Sequence, residues 1–180
     1  MKVSKEEILA IADELNFSHY GILETENLVF LQEVRDMCAA NRCNMYDKTW
    51  CCPPACGTLE EISQKAKGFS NGIVLQMTGQ MEDDFDVETM MDTEATLKER
   101  MMQMIEMLHS KDVEFLPMSA GACTLCKECT YPDAPCRDPA GATSPMEALG
   151  MLVSEVCSAN GVDYYNGKGT ITYTACFLLK

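Results

Sequence analysis

The chain has 180 residues, a formal net charge of −14 and eleven cysteines. This length suits a domain that buries its own core without disulfide bonds. The negative charge argues against binding to nucleic acid or anionic membranes, which are recognised largely through lysine and arginine, and it favours a partner protein with a basic surface.

The first half of the chain predicts three helices and two strands. Ser4 and Glu7 form a capping-box pattern, and apolar residues at helical spacing follow them. The predicted elements are helices over about 4–15, 26–39 and 58–67 and strands over 19–23 and 72–81. The polar, cysteine-rich stretch between them, 41–57, contains Pro53-Pro54 and predicts an irregular loop.

The second half predicts two helices and three strands. A helix over about 87–110 carries a stripe of methionines, which predicts core packing or packing against a second copy of the chain and so leaves a homo-oligomer open. A strand over 114–118 and a helix over 145–159 follow. Strands over 162–165 and 170–179 predict a C-terminal hairpin.

This order of elements predicts an α+β or α/β fold, with a single mixed sheet flanked by helices. Two cysteine-rich loops, at about 38–56 and 123–136, are expected to project from this scaffold. Neither loop is long enough to form a domain of its own. We therefore expect residues 1–180 to form one domain with two metal-binding loops.

The cellular compartment of a protein decides whether its cysteines form disulfide bonds or stay reduced. The first twenty residues lack the continuous apolar region of a signal peptide, and no run of about 18 apolar residues predicts a membrane span. We therefore expect a cytoplasmic protein, whose thiols stay reduced and bind metal rather than pair. Fourteen methionines, which oxidise readily in air, suit an anaerobic habitat.

Three cysteines at two-residue gaps, Cys123, Cys126 and Cys129, give the most specific chemical signal. Such a run wraps the backbone around a cubane and presents three thiolates to three irons. Cys136 is a suitable fourth ligand, although bacterial ferredoxins use a shorter gap. Zinc also binds four thiolates, but it usually uses two separated pairs. We predict a 4Fe-4S cluster here, with zinc as the alternative.

The first loop has enough thiols for a second 4Fe-4S cluster. They are Cys38, Cys43, Cys51, Cys52 and Cys56. A proline directly after Cys52 stiffens the loop, so Cys52 is predicted as a ligand together with Cys38 and Cys43. Cys56 is the preferred fourth ligand and Cys51 the reserve.

Three motifs carry a family resemblance: CNMYDKTWCCPP at 43–54, CTLCKEC at 123–129 and CRDP at 136–139. Their order resembles a predicted metal-binding, cysteine-rich family of unknown function from anaerobic bacteria and archaea, over most of the chain. The resemblance implies a metal but no reaction. The ligands that it implies are Cys38, Cys43, Cys52, Cys123, Cys126, Cys129 and Cys136, with Cys51 and Cys56 as additions.

The remaining cysteines and the histidines are predicted to lie outside the metal sites. Cys157 and Cys176 occur in apolar segments, where free cysteine behaves as a small hydrophobe. His19 and His109 follow no ligand pattern. Trp50 is expected to shield the first site from water.

Three hypotheses of function follow. The first is an iron-sulfur protein acting in electron transfer or as an accessory redox protein in anaerobic metabolism, whose acidic run at 82–94 docks a basic redox partner. The second is an enzyme: with neither Cys51 nor Cys56 bound, a first-loop cluster would have an open iron that acts as a Lewis acid on a small substrate. The third is a structural zinc-binding protein.

Overall fold

The computed structural model describes residues 3–180, which form helices around one five-stranded sheet. The helices are α1 (Lys5–Glu14), α2 (Gln32–Ala39), α3 (Leu59–Ala66), α4 (Val87–Ser110) and α5 (Val153–Ala159). The strands are β1 (His19–Leu23), β2 (Asn71–Gln80), β3 (Phe115–Ser119), β4 (Ser144–Pro145) and β5 (Thr170–Leu179). Short 3-10 turns cover Thr25–Asn27 and Glu147–Leu149.

The sheet has the strand order β1-β2-β5-β3-β4. β1 pairs with β2, β2 with β5 and β5 with β3, in each case antiparallel. β3 and β4 are parallel and pair through Met118 with Ser144 and Ser119 with Pro145. The sheet is therefore mixed and the fold is α+β, as the sequence predicts.

The core lies on both faces of the sheet, because successive side chains of a strand point to opposite faces. Ile73, Leu75 and Phe177 pack with apolar residues of α1 and α4. Val74 and Cys176 pack on the other face with residues of α3 and α5. Burial on both faces explains the continuous apolar runs in β2 and β5.

Side-chain caps fix where the helices start. Ser4 accepts a hydrogen bond from the Glu7 backbone N–H (3.1 Å), and Glu7 accepts one from the Ser4 N–H (2.9 Å), which confirms the capping box of α1. Thr58 and Glu61 form a second capping box at α3. Asp86 caps α4. Each cap satisfies backbone donors that the first turn leaves free.

The methionine stripe of α4 faces the core. Met101, Met104 and Leu108 are buried against the sheet, whereas Met91 is 65% exposed. The part of the stripe nearest the C-terminal end of α4 therefore packs within the chain. Neither α4 nor any other helix in the described part of the chain is long and apolar enough to span a bilayer.

The predicted C-terminal hairpin is wrong, because residues 162–165 form no strand. β5 pairs with β2 along its whole length, whereas β3 reaches only residues 176–179 of its other edge, so within the described part of the chain residues 170–175 have no strand partner on that edge. A side chain takes the place of a strand partner here: the Gln76 amide donates to the Asp163 carbonyl (3.0 Å). The mixed character of the sheet comes instead from the parallel β3–β4 pair.

Two predicted helices are shorter than expected. The helix over 26–39 begins at Gln32, and the helix over 145–159 begins at Val153. Gly150 interrupts the second, because it has a φ of +83° and a Cβ there would lie 2.4 Å from Leu59 Cδ2. Its carbonyl accepts a hydrogen bond from the Leu31 N–H (2.7 Å), which joins the two segments outside helical structure.

Candidate metal centre

Two loops carry the predicted ligands. The first cysteine loop (residues 38–56) lies between α2 and α3, and the second (residues 123–136) lies between β3 and β4. Parallel strands need a crossover connection, which is usually helical. Here residues 120–143 make that connection without an α-helix or a strand. The sheet therefore holds both ends of the second loop in place.

Aromatic and polar contacts pack the two loops against each other. The Trp50 indole N–H donates to the Ala134 carbonyl (3.1 Å), and the Trp50 ring meets the Tyr131 ring edge to face with centroids 4.9 Å apart. The Tyr131 hydroxyl donates to Asp47 Oδ1 (2.6 Å). Trp50 thus joins the loops, a role that the sequence does not reveal.

A cavity of about 380 Å³, here called the inter-loop cavity, lies between the loops. The cysteines that line it are Cys51, Cys123, Cys126, Cys129 and Cys136. The structure thus brings together all four predicted ligands of the second loop and adds Cys51 from the first. From the spacing of the cysteines, Cys51 was expected only as a reserve ligand of the first-loop site. One feature of the sequence could have indicated this position. Cys51 and Cys52 are adjacent, and because neighbouring side chains seldom face the same site, the two thiols are expected to face different sites.

The thiol of Cys51 is hydrogen-bonded to Cys123 across the two loops. This bond lowers the pKa of Cys123 to about 6 and raises the pKa of Cys51, which acts as the donor. The backbone N–H groups of Leu125 and Thr143 also donate to Cys123 and favour its thiolate. Thiolate is the form of cysteine that binds metal, so this end of the cavity is prepared for a cation.

The other predicted first-loop ligands lie near one another. Burial raises the pKa of Cys38, and the nearby Cys52 and Cys43 raise it further. Burial likewise raises the pKa of Cys52, which interacts electrostatically with Cys43, Cys123 and Cys129. Cys52 is therefore close to thiols of both loops.

Cys56, the preferred fourth ligand of the first loop, has a different environment. Its thiol donates to the Ala148 carbonyl, with 3.5 Å between Sγ and O. Burial raises the pKa of Cys56, and the Arg35 guanidinium opposes this effect. Arg35 Nη2 donates to the Gly57 carbonyl, while Arg35 Nη1 is buried and has no hydrogen-bond partner among the residues that the structure describes.

The core packing predicted for Cys157 and Cys176 is confirmed, and both histidines lie at the surface. Cys157 and Cys176 have no exposed surface, and the Gln76 amide donates to Cys157 Sγ (3.6 Å). His109 is exposed at the end of α4, where its ring meets the Phe115 ring with centroids 4.8 Å apart. His19 is exposed at the start of β1.

Within residues 3–180, no three cysteine, histidine or carboxylate side chains are arranged so that they could hold a single metal ion. In a tetrahedral zinc site the sulfurs converge to about 3.8 Å from one another. The five thiols of the inter-loop cavity border a volume instead.

No curated protein and no solved structure shows significant similarity to the chain. One family model does match, and it covers residues 21–179, which include both cysteine loops and all five strands except the first two residues of β1. Its description confirms the metal-binding resemblance and names no metal and no reaction. The chain therefore belongs to the family described as "Predicted metal-binding protein (DUF2284)".

Proposed function

We propose that the chain is an iron-sulfur protein that holds a 4Fe-4S cluster in the inter-loop cavity and acts in electron transfer or as an accessory redox protein. The ligands would be the four second-loop cysteines, Cys123, Cys126, Cys129 and Cys136. The observation that supports this proposal is that five thiols from two loops border one cavity of about 380 Å³. When bound, such a cluster supplies one-electron chemistry.

The residues fit a cluster better than an isolated ion. In a cubane each cysteine binds a different iron, so the thiolates surround a volume and do not converge on one point. Hydrogen bonds to the sulfurs tune such clusters, and Cys123 receives three. Lys127, Arg137 and Asp138 also line the cavity, where the two cations outnumber the one carboxylate and offset part of the thiolate charge. Zinc remains the alternative that metal analysis must exclude.

We also propose a second 4Fe-4S cluster, held by the first loop. Its ligands would be Cys38, Cys43, Cys52 and Cys56. Its support is Arg35, whose charge acts on Cys38 and Cys56 and whose buried Nη1 finds no hydrogen-bond partner in the part of the chain that the structure describes. Buried donors are almost always satisfied, so an anionic group beside Arg35 would account for this one. The first-loop set is less complete than the other, because Cys56 is bonded to Ala148 and Cys51 faces the second loop.

Anaerobic purification followed by iron, acid-labile sulfide and zinc analysis tests the proposal. We expect about four irons and four sulfides for one cluster, or about twice that for two, and a paramagnetic signal after reduction. The first-loop cluster is separately tested by Cys43→Ala, which should remove only the second set of four. Stoichiometric zinc without sulfide would replace the proposal with a structural zinc protein.

The enzymatic alternative also has an observation in its favour. A second cavity adjoins the inter-loop cavity, and a Lewis-acid centre needs such a space for its substrate. Full cysteine ligation of every iron would argue against this alternative. Electron transfer requires no such space, so the two functions differ in what they predict for small-molecule binding.

The acidic run at 82–94 is our candidate docking surface for a basic redox partner in the cytoplasm. It includes Phe85, which is 87% exposed among carboxylates. Asp86 in the same run caps α4, so part of the run serves the fold. Neutralising Asp83 and Asp84 with asparagine should slow association with a basic electron acceptor and flatten its salt dependence. An unchanged rate would assign docking to another surface.

A further inference from the structure

We propose that the cavity adjoining the inter-loop cavity is a binding pocket for a small organic carboxylate with an apolar body. This pocket, here called the outer cavity, has a volume of about 530 Å³, within the range of small-molecule sites. The inference rests on the proposed function only for the nature of the neighbouring centre. The pocket itself is defined by protein residues.

The outer cavity shares a wall with the candidate metal centre. Trp50, Cys51 and Cys136 line both cavities. Cys51 and Cys136 are thiols of the candidate centre, and Trp50 is fixed by its bond to Ala134. A molecule in the outer cavity would therefore lie directly beside Cys136, one of the proposed ligands of a centre in the inter-loop cavity.

Another wall is an unpaired edge of the sheet. β4 pairs with Met118 and Ser119 of β3, and within residues 3–180 no strand pairs with 115–117 on that side. Consecutive residues 113–117 all line the outer cavity, as does Ser144 of β4. Since neighbouring side chains of a strand point to opposite faces, a cavity that touches them in succession lies along the strand edge. Backbone polar groups of this edge are available to a ligand.

The side chains of the outer cavity are mainly apolar, which selects the body of the ligand. Those that contribute apolar surface are Ile62, Val113, Phe115, Leu116, Pro117 and Leu149. They belong to α3, β3 and the segments beside them, so the sheet and helix scaffold shapes the pocket. Burial of an apolar group of the ligand against these side chains would favour binding, because it removes apolar surface from water.

The charges of the outer cavity select an anion. Three ionisable side chains besides the cysteines line it: Lys65, His109 and Glu114. Glu114 is already paired with Lys180, with 2.7 Å between Oε1 and Nζ. Lys65 forms no ion pair with any residue in 3–180. In a chain of net charge −14, an unpaired lysine beside an apolar pocket favours a carboxylate.

The test is calorimetric titration of the anaerobically purified protein with 4-phenylbutyrate and with its neutral counterpart, 4-phenylbutanol. We expect the carboxylate to bind more tightly than the alcohol. Ala142→Phe fills the pocket from a position outside the shared wall and should weaken binding by about tenfold or more. Lys65→Gln should weaken carboxylate binding by a few fold and remove the preference over the alcohol.

Matched controls separate the pocket from general effects. Lys67→Gln removes an exposed lysine that does not line the cavity, and Ala95→Phe adds the same ring on an exposed face of α4. Both should bind the carboxylate as the unchanged protein does. Absence of binding to the unchanged protein, or equal binding to all variants, would overturn the inference.

Metal content distinguishes the two proposals. All four variants should keep the iron and sulfide content of the unchanged protein, because none alters a cysteine. Carboxylate binding by a protein that lacks iron would leave this inference standing and remove the proposed function. Full iron content without carboxylate binding would overturn this inference and leave the proposed function standing.

Discussion

Replacement of two cysteines by alanine should separate metal binding from the stability of the fold. Cys126 is half-buried and lines the inter-loop cavity, outside both apolar clusters of the core. Cys157 has no exposed surface and packs in the cluster that joins the sheet to α3 and α5. The substitutions are chemically the same, so any contrast reflects position.

The two environments set the expected magnitudes. Cys157→Ala removes a buried sulfur, leaves a small void and deprives the Gln76 amide of one acceptor, which together should lower the free energy of unfolding by about 1–2 kcal/mol. Cys126→Ala removes no core contact, so the free energy of unfolding of the metal-free chain should change by less than about 0.5 kcal/mol. Only Cys126→Ala should lose a metal ligand.

Iron and sulfide per chain measure the first effect, and urea unfolding of the chelator-treated protein measures the second. Cys126→Ala should lose most of the iron of the inter-loop cavity, whereas Cys157→Ala should keep it. Equal iron loss in two folded variants would contradict the assignment of Cys157 to the core. Full iron and sulfide in Cys126→Ala would refute the proposed ligand set, because the chain offers no comparable run of thiols.

Three further predictions follow from contacts described above. Trp50→Ala removes the hydrogen bond to the Ala134 carbonyl and should speed iron release to a chelator. Trp50→Phe should speed it less, because a ring remains against the second loop. Iron release from both variants at the rate of the unchanged protein would show that Trp50 does not hold the loops together. Gly150→Ala should lower the thermal midpoint more than Gly161→Ala, because both have positive φ but only Gly150 is crowded. Gln76→Leu should lower the free energy of unfolding by about 2 kcal/mol in urea titration, since buried partners lose their donor, and a neutral result would mean that water replaces it.

Local signals in the sequence predicted much of the scaffold. The Ser4–Glu7 capping box located α1, and the apolar runs in β2 and β5 marked strands that are buried on both faces. These signals act over a few residues, so the sequence carries them directly. The sequence carries no such direct signal for the order of strands, because that order depends on which strand edges pair. The false hairpin at 162–165 arose because a β-compatible segment before a Gly-rich turn does not reveal whether its backbone pairs with β5.

The candidate site shows the same division. Spacing alone identified Cys123, Cys126, Cys129 and Cys136, and the structure places all four around one cavity. It could not show that Cys51 faces them, because that contact joins residues about seventy positions apart. The outer cavity was equally hidden, since it depends on how little of β3 the short strand β4 covers.

The position of β5 in the sheet has a consequence for the order of assembly during synthesis. β2 and β3 are not paired with each other and are joined only through β5, which follows both in the chain. The sheet cannot close until residues 170–179 have left the ribosome, long after all the loop cysteines have been made. Until then no strand pairing joins β2 to β3, and the two loops are held together only by α4 and by their own contacts within the described part of the chain. A metal group that needs thiols from both loops would therefore gain its full support from the sheet only after β5 has been translated.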